Sequence, residues 1–276
     1  MADGRHAVSL IAPLAAPGRA EGVVLRVSQA IKLGLLGDGE QLPPEAEFAA
    51  QLGVSAMTLR EALAMLRQQG LVETRRGRTG GTFVRRLAET QPSLLRDRLL
   101  ALTVEELRDL ADEQGAVSGA AARLAATRAP TSSVRRLFTL ANELSTATTA
   151  AARIRADSRF HIEVALAARS NRLTALEVAL QAQLAELRWL PLNPADAAGP
   201  DAAASGDADG GARATTRTSE DPARLLDHRA AAAEHAAIAA AIEAEDGLRA
   251  RLLAEQHVEA NHRRLTALRR APAPRP

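Results

Sequence analysis

Residues 42–84, Leu42 to Val84, read LPPEAEFAAQLGVSAMTLREALAMLRQQGLVETRRGRTGGTFV. Pro43 and Pro44 set fixed φ angles at a helix start, and Glu45 and Glu47 sit at its positive end. Phe48, Ala49 and Leu52 give that helix its apolar stripe, and Gly53 turns the chain. Val54 anchors the turn and Ser55 is a good N-cap for a second helix running to about Gln69. Leu59, Leu63 and Leu66 face inward, and Gly70 stops it. Leu71, Val72 and Thr74 start a strand, Arg75 to Gly81 form a cationic tip, and Thr82, Phe83 and Val84 return as a second strand. Helix, glycine turn, helix and basic hairpin, in that order, form the pattern that sets one helix in the DNA major groove.

Upstream, Val23, Val27, Ala30 and Ile31 recur at helical spacing until Gly34 and Gly37, and Gly37-Asp38-Gly39 reads as a turn. A winged helix-turn-helix domain is therefore expected over 20–87, with a disordered arm at 1–19. Leu87 to Ser93 read as a linker (88–93 between the domains). Beyond it the chain reads as helical over 94–270. Leu94 to Ala101 form a short helix. Thr103 caps the next with Glu106 in a T-x-x-E box, and it runs to about Thr127 although Gly115 and Gly119 weaken it. Further helices are expected from Pro130 toward Thr149, Ala151 to Ala168, Arg172 to Leu190, Pro222 to Ala244 and Leu248 to Arg270. Residues 196–221 read as a disordered insertion and 271–276 as a tail. The fold class is mainly α: an N-terminal winged helix-turn-helix domain (three helices plus a β-hairpin wing) and a C-terminal all-helical antiparallel bundle.

Composition agrees with that division. At 276 residues, two domains are expected over one. Hydrophobic residues reach 46% with aromatics at only 2%, and much of the share is alanine, which favours helices. The net charge of +2 excludes a polycation, and Lys32 is the one lysine, so the basic groups are arginines suited to phosphate and guanine. The absence of cysteine excludes disulfides and thiolate metal sites. No apolar run reaches the roughly 20 residues of a membrane span. The apolar segment Val8 to Ala16 is interrupted by Pro13 and is not read as a signal peptide, so a soluble cytoplasmic protein is expected.

The histidines suggest a second site. They are His6, His161, His228, His235, His257 and His262. Asp157 and His161 lie one helical turn apart and project from one face. Glu245-Asp246-Gly247 break the last helical pair into a hairpin. His235 and His257 are equidistant from Asp246 along the two arms, at the same height about 16 Å from the turn at ~1.5 Å per residue. A carboxylate and three imidazoles suit a divalent transition metal such as Zn, Ni, Mn or Fe, with room for water or the carboxylate of an organic acid. His228 competes weakly for the site, and His262 is expected to be solvated. Arg153, Arg155 and Arg159 are in range by sequence to pair with an effector carboxylate, and Trp189 is expected in the core or the pocket wall.

The stretch 42–84 resembles the winged helix-turn-helix domain of the GntR family of bacterial transcription regulators, over about residues 20 to 86. The LP-x-E, GVS, T-x-REAL, L-x-x-x-GLV and GTFV elements all stand in place. Ala46 and Ala56 occupy positions where the family often carries arginine. The resemblance implies DNA contacts from Arg60, with Ser55, Met57 and Thr58 near the start of the recognition helix. It also implies phosphate or minor-groove contacts from Arg75, Arg76 and Arg78, with Gly80 in the wing. Asp157 to Asn171 and His235 to His257 resemble the FCD ligand-binding domain of the FadR-type branch. That likeness implies metal binding at Asp157, His161, His235 and His257 and a small carboxylate effector. Gln114 and Ser118 stand where the branch often shows R-x-x-x-E. The implied function is a homodimeric repressor, not an enzyme, that binds an inverted-repeat operator on double-stranded DNA. A metal-dependent enzyme with an appended DNA-binding module and a helical protein-interaction module are the alternatives.

Overall fold

The computed structural model describes residues 20–77, 80–85, 91–190 and 227–271. The expected arm at 1–19, the insertion at 196–221, most of the tail, and Arg78 lie outside the described residues. The chain divides into two compact units, Met1–Glu89 and Thr90–Pro276.

In the first unit, α1 (Ala20–Lys32), α2 (Glu45–Leu52) and α3 (Ala56–Gln68) precede β1 (Val72–Arg75) and β2 (Gly81–Val84). Both α1 and α2 pack on α3, and α3 also touches β1. Val23, Val27, Phe48, Leu52, Leu59, Leu63 and Leu66 are buried, so the apolar stripes of all three helices share one core. Gly53 adopts φ 67°, a left-handed conformation that favours glycine, and it closes α2 so that α3 can start three residues later. The Ser55 side chain accepts from the Thr58 backbone N–H at 3.1 Å and caps α3. Ser55→Ala is expected to destabilise this unit by about 1 kcal/mol, read as a lower urea midpoint at unchanged slope.

The hairpin pairs Val72 with Val84 and Arg75 with Gly81. Arg75 and Gly81 thus belong to the strands, not to the tip, a correction to the expected boundaries. The structure also adds a third strip. Val84 N–H donates to Glu40 O at 2.9 Å and Leu42 N–H to Thr82 O at 2.8 Å. Residues 39–42, which follow a turn in sequence, thereby pair with the free edge of β2, and the Gln41 side chain donates to Gly80 O at 3.2 Å.

The second unit contains α4 (Pro92–Ala101), α5 (Val104–Arg128), α6 (Thr131–Ser145), α7 (Ala150–Ala167), α8 (Asn171–Arg188), α9 (His228–Glu243) and α10 (Gly247–Arg270). Pro92 stands at the first turn of α4 and is helical, so the expected linker ends earlier than Ser93. Helix α6 stops at Ser145, short of Thr149. Ser145 and Thr146 hydroxyls donate back to Asn142 O, and Thr149 caps α7 instead. Helix α5 runs unbroken through Gly115 and Gly119. A Cβ at Gly119 would lie 2.8 Å from Glu255 Oε1, so glycine there permits the close approach of α10. The Thr103–Glu106 capping box is complete.

One core cluster joins Ala121, Ala122 and Ala125 of α5 with Leu137, Phe160, Val164, Ile238, Ile242 and Ala254. Alanine on the contacting faces lets helix axes come close, which explains how an aromatic-poor chain fills its interior. A second cluster gathers Leu95, Leu99, Leu107, Leu184, Leu187, Leu265 and Leu268 around α4, α5, α8 and α10. Among the described residues no helix is long and apolar enough to cross a membrane.

Candidate metal centre and nucleic-acid interface

The helical unit brings Asp157, His161, His235 and His257 together, all buried, with one ligand atom from each within 4.8 Å of the others. Helix α7 supplies Asp157 and His161 from adjacent turns. Helices α9 and α10 supply His235 and His257 across their hairpin, where Glu245 takes φ 56° and the Asp246 side chain caps α10. The two Nε2 atoms of that pair are 3.3 Å apart. Asp157 Oδ1 lies 3.8 Å from His161 Nε2 and 3.5 Å from His235 Nε2. Donors bonded to one ion at roughly 2.0–2.2 Å stand about 3 to 4 Å apart, so these separations fit a single divalent ion.

The protonation pattern fits as well. His257 Nδ1 lies 2.6 Å from Glu234 Oε2, which assigns the proton to Nδ1 and leaves the Nε2 lone pair facing the cluster. Asn261 Nδ2 approaches the same Nε2 at 3.0 Å. His161 Nε2 receives Arg188 Nη1 at 3.3 Å, and a guanidinium is only a donor, so that nitrogen too is an acceptor. Phe160 stacks on His235 with centroids 3.9 Å apart and fixes its ring plane. Burial pushes the His161 and His235 imidazoles well below their ordinary value. The Arg188 charge and then His257 and His235 add to the effect at His161, and His257 and then Arg188 add to it at His235. Both rings are therefore neutral at pH 7, the form that ligates metal.

The same shifts set a pH dependence for the metal-free fold. Below pH 6.5 the unfolded chain binds protons that the buried rings refuse, so stability falls on acidification. His228, lowered chiefly by burial, acts in the same direction. The urea midpoint of chelator-treated protein is expected to drop between pH 7 and 5.5, by about 1 kcal/mol per pH unit for each buried ring. A flat profile would contradict this protonation state.

Several residues at the centre were not reached from sequence. Arg188, at the last turn of α8, is 1% exposed and puts Nη1 3.3 Å from Asp157 Oδ2. It also donates to Gln181 Oε1. Gln181 in turn donates to Glu177 Oε1 at 2.7 Å, and Ser118 Oγ donates to Glu177 Oε2 at 2.9 Å. Burial raises the Glu177 carboxyl above its ordinary value, against the pull of Gln181, Ser118 and Arg188. Glu177, Gln181 and Arg188 lie on one face of α8, a polar line beside Leu180, Leu184 and Leu187 that was the available signal. A second buried guanidinium, Arg264, lies 5.3 Å from the Trp189 ring centroid, and burial lowers it to about 9.

The arginines chosen from sequence occupy other places. Arg155 is exposed, Arg159 is half-buried, and Arg153 is half-buried with Nε donating to Ala147 O at 3.3 Å. The guanidinium that reaches the four-residue cluster is that of Arg188, through Asp157 and His161. The reason is that α8 crosses α7 at the centre, a contact invisible to sequence distance. His262, expected to be solvated, is half-buried and its Nδ1 has no partner. Trp189 is buried, as its position suggested.

In the first unit, the start of α3 presents Ser55 and Met57 to solvent, with Thr58 partly covered. Met57 is 75% exposed, unusual for a thioether side chain that faces no partner. Arg60 is exposed and its Nε donates to Glu45 Oε2 at 2.8 Å, so α2 holds its guanidinium in place. Arg75 pairs with Glu73 at 2.7 Å and lies 4.4 Å from the Phe83 ring centroid. Arg76 is exposed, and Gly80 carries the Gln41 contact. Arg75, Arg76 and the start of α3 are thus exposed in one unit.

A winged helix-turn-helix beside a helical bundle with a buried donor cluster defines a class of bacterial DNA-binding proteins, and comparison with known proteins specifies it. The family described as bacterial regulatory proteins, gntR family, matches residues 19–84. The HTH-type transcriptional regulator RmpR of Mycobacterium gastri is 46% identical over 185 residues, 67% of this chain and 68% of that protein. The Glc operon transcriptional activator of Escherichia coli K12 is 35% identical over 108 residues, 39% of this chain and 41% of that protein. A solved structure of E. coli McbR/YncC covers 91% of this chain and 99% of its own at 16% identity, with a TM-score of 0.46. The chain belongs to the gntR family of bacterial regulatory proteins and is a DNA-binding transcriptional regulator.

Proposed function

We propose that the protein is a cytoplasmic homodimer of the FadR-type, FCD-containing branch whose operator affinity is set by a divalent metal and a small organic acid in the helical unit. The observation that carries this reading is the buried Asp157, His161, His235, His257 cluster, in which burial keeps the His161 and His235 imidazoles neutral. Four protein donors on Zn, Ni, Mn or Fe in five or six coordination leave a position for a carboxylate. The metal would supply Lewis-acid attraction for that anion. The chain supplies the rest: Glu234 orients His257, Phe160 fixes His235, and Arg188 offers a cation beside Asp157.

On the DNA side, two recognition helices related by a two-fold axis would meet an inverted repeat. Arg60, aligned by Glu45, would read a guanine edge, Met57 would contact a thymine methyl, and Ser55 and Thr58 would touch the backbone nearby. Arg75, Arg76 and Arg78, with Gly80, would follow phosphates or enter the minor groove. Effector binding would shift the population of DNA-competent arrangements. A relative named as the Glc operon transcriptional activator supports control of an operon.

The test is binding of the full chain to its own promoter region and to random DNA at one salt concentration. Specific, salt-dependent binding to an inverted repeat is expected. Equal affinity for both DNAs would overturn the reading.

A further inference from the structure

We propose that Gln41 is a positioning residue for the wing: its side-chain amide holds the tip of the hairpin, so that the tip arginines meet the phosphate backbone in one arrangement. The inference rests on the wing contacts read above and adds the residue that sets them.

The strip at 39–42 is pinned on both sides of Gln41. Glu40 O accepts from Val84 N–H, Leu42 N–H donates to Thr82 O, and the Leu42 side chain is buried. Upstream, Gly39 N–H donates to Val84 O at 2.9 Å, and the Glu40 carboxylate accepts from Gly37 N–H at 2.7 Å. Gln41 itself bridges Phe83. In a pleated sheet, paired residues share a face and neighbours along a strand alternate. Leu42 therefore turns inward and Gln41 outward, on the face that carries Phe83, Glu73 and Arg75. The backbone at Gln41 is held, and its side chain starts from a fixed base.

From that base the amide reaches past the start of β2 to the tip, where Gln41 Nε2 donates to Gly80 O at 3.2 Å. The path is open because residue 81 is glycine, since a Cβ there would collide with Gln41 Nε2. Gly80 is equally confined: a Cβ on it would lie 2.6 Å from Arg75 O and 2.8 Å from Gly77 O. Gly80 N–H closes the tip by donating to Gly77 O at 2.8 Å. A hold on Gly80 is thus a hold on Gly77 and on Arg76 beside it. Arg75 is fixed separately, by Glu73 and by its place over the Phe83 ring. The Gln41 contact therefore acts on the part of the wing that strand pairing does not reach. Arginines on a loose tip would have to be ordered when DNA binds, and ordering the tip beforehand lowers that cost. The amide is neutral, so it adds no charge of its own.

The experiment measures the affinity of the full chain for its cognate site and for random DNA over a series of salt concentrations. It compares the unaltered protein, Gln41→Met, an Arg76→Ala/Arg78→Ala variant and the combination of all three substitutions. Methionine keeps the length of the side chain and removes its donor. Gln41→Met is expected to bind both DNAs about fivefold more weakly, the effect of one side chain to be ordered, and to lower the salt slope by about one. Its urea midpoint is expected to stay that of the unaltered protein, because the contact lies at the surface. In the combined variant, Gln41→Met is expected to add nothing to the loss caused by removing the arginines, because it acts through them. Unaltered affinity in Arg76→Ala/Arg78→Ala would overturn the wing reading and this inference together. With the wing reading intact, unaltered affinity in Gln41→Met would overturn this inference alone. So would a loss confined to the cognate site, an unchanged salt slope, a lower urea midpoint, or a loss that adds in full to that of the arginine variant.

Discussion

His235→Ala is expected to weaken metal binding by roughly 100- to 1000-fold while leaving a folded helical unit. Structural zinc sites bind with about 10–16 kcal/mol in total, so one of four ligands carries on the order of 3–4 kcal/mol. His235 is the most informative ligand to remove because it is fully buried and stacked on Phe160, and alanine there leaves an apolar gap. The same substitution relieves the crowding of three imidazoles and Arg188, which offsets part of the lost packing. Metal content after dialysis against a weak chelator reads the loss directly. Retention of stoichiometric metal in the variant would mean that the ion, if bound, sits elsewhere. Glu234→Gln is the milder companion. It touches only the second nitrogen of His257, and a tenfold to 100-fold loss is expected from weakened orientation.

Arg60→Ala is expected to reduce affinity for the cognate site by roughly 10- to 100-fold, the ~1–3 kcal/mol of a bidentate base contact, with little change on random DNA. The prediction rests on exposure and alignment. Arg60 projects from the second turn of α3 into solvent and is braced by Glu45 from α2. Ala46 and Ala56 remove two other cations from this surface, so base reading concentrates on Arg60. Wing substitutions separate from it by their salt response. Arg76→Ala is expected to weaken binding to all sequences alike and to reduce the salt slope by about one. A uniform loss in Arg60→Ala would move that residue to the backbone-contacting class.

These expectations draw on signals of very different reach. The winged helix was legible because each boundary is written locally: Gly53 takes the left-handed turn, Ser55 supplies the cap, and Gly70 ends α3. The Asp157–His161 pair followed from helical spacing. The facing of His235 and His257 followed from symmetry about Asp246, because two helices joined by a tight turn have no freedom of register. The supporting residues were not legible for the opposite reason. Arg188, Glu177 and Gln181 acquire their roles only when α8 packs against α7 and α5, and the polar line they form on α8 does not say which helices it meets. Sequence proximity to Asp157 pointed to Arg153, Arg155 and Arg159, on α7 itself. The added strip at 39–42 was missed because its partner, β2, lies about forty residues away. The end of α6 was misplaced because hydroxyl residues at 145–149 bond back to the helix and to the next cap, a competition that apolar periodicity does not register.

The central claim is that ligands of the helical unit set the DNA affinity of the winged helix. The most direct measurement is fluorescence anisotropy of a labelled operator titrated with the full chain, with and without bound divalent metal and a saturating small organic acid. It is repeated with Asp157→Ala. The account predicts a shift in operator Kd of about 5- to 150-fold on adding metal and acid together, and no shift in the variant. An identical Kd in all conditions, or the same shift in Asp157→Ala, would contradict it.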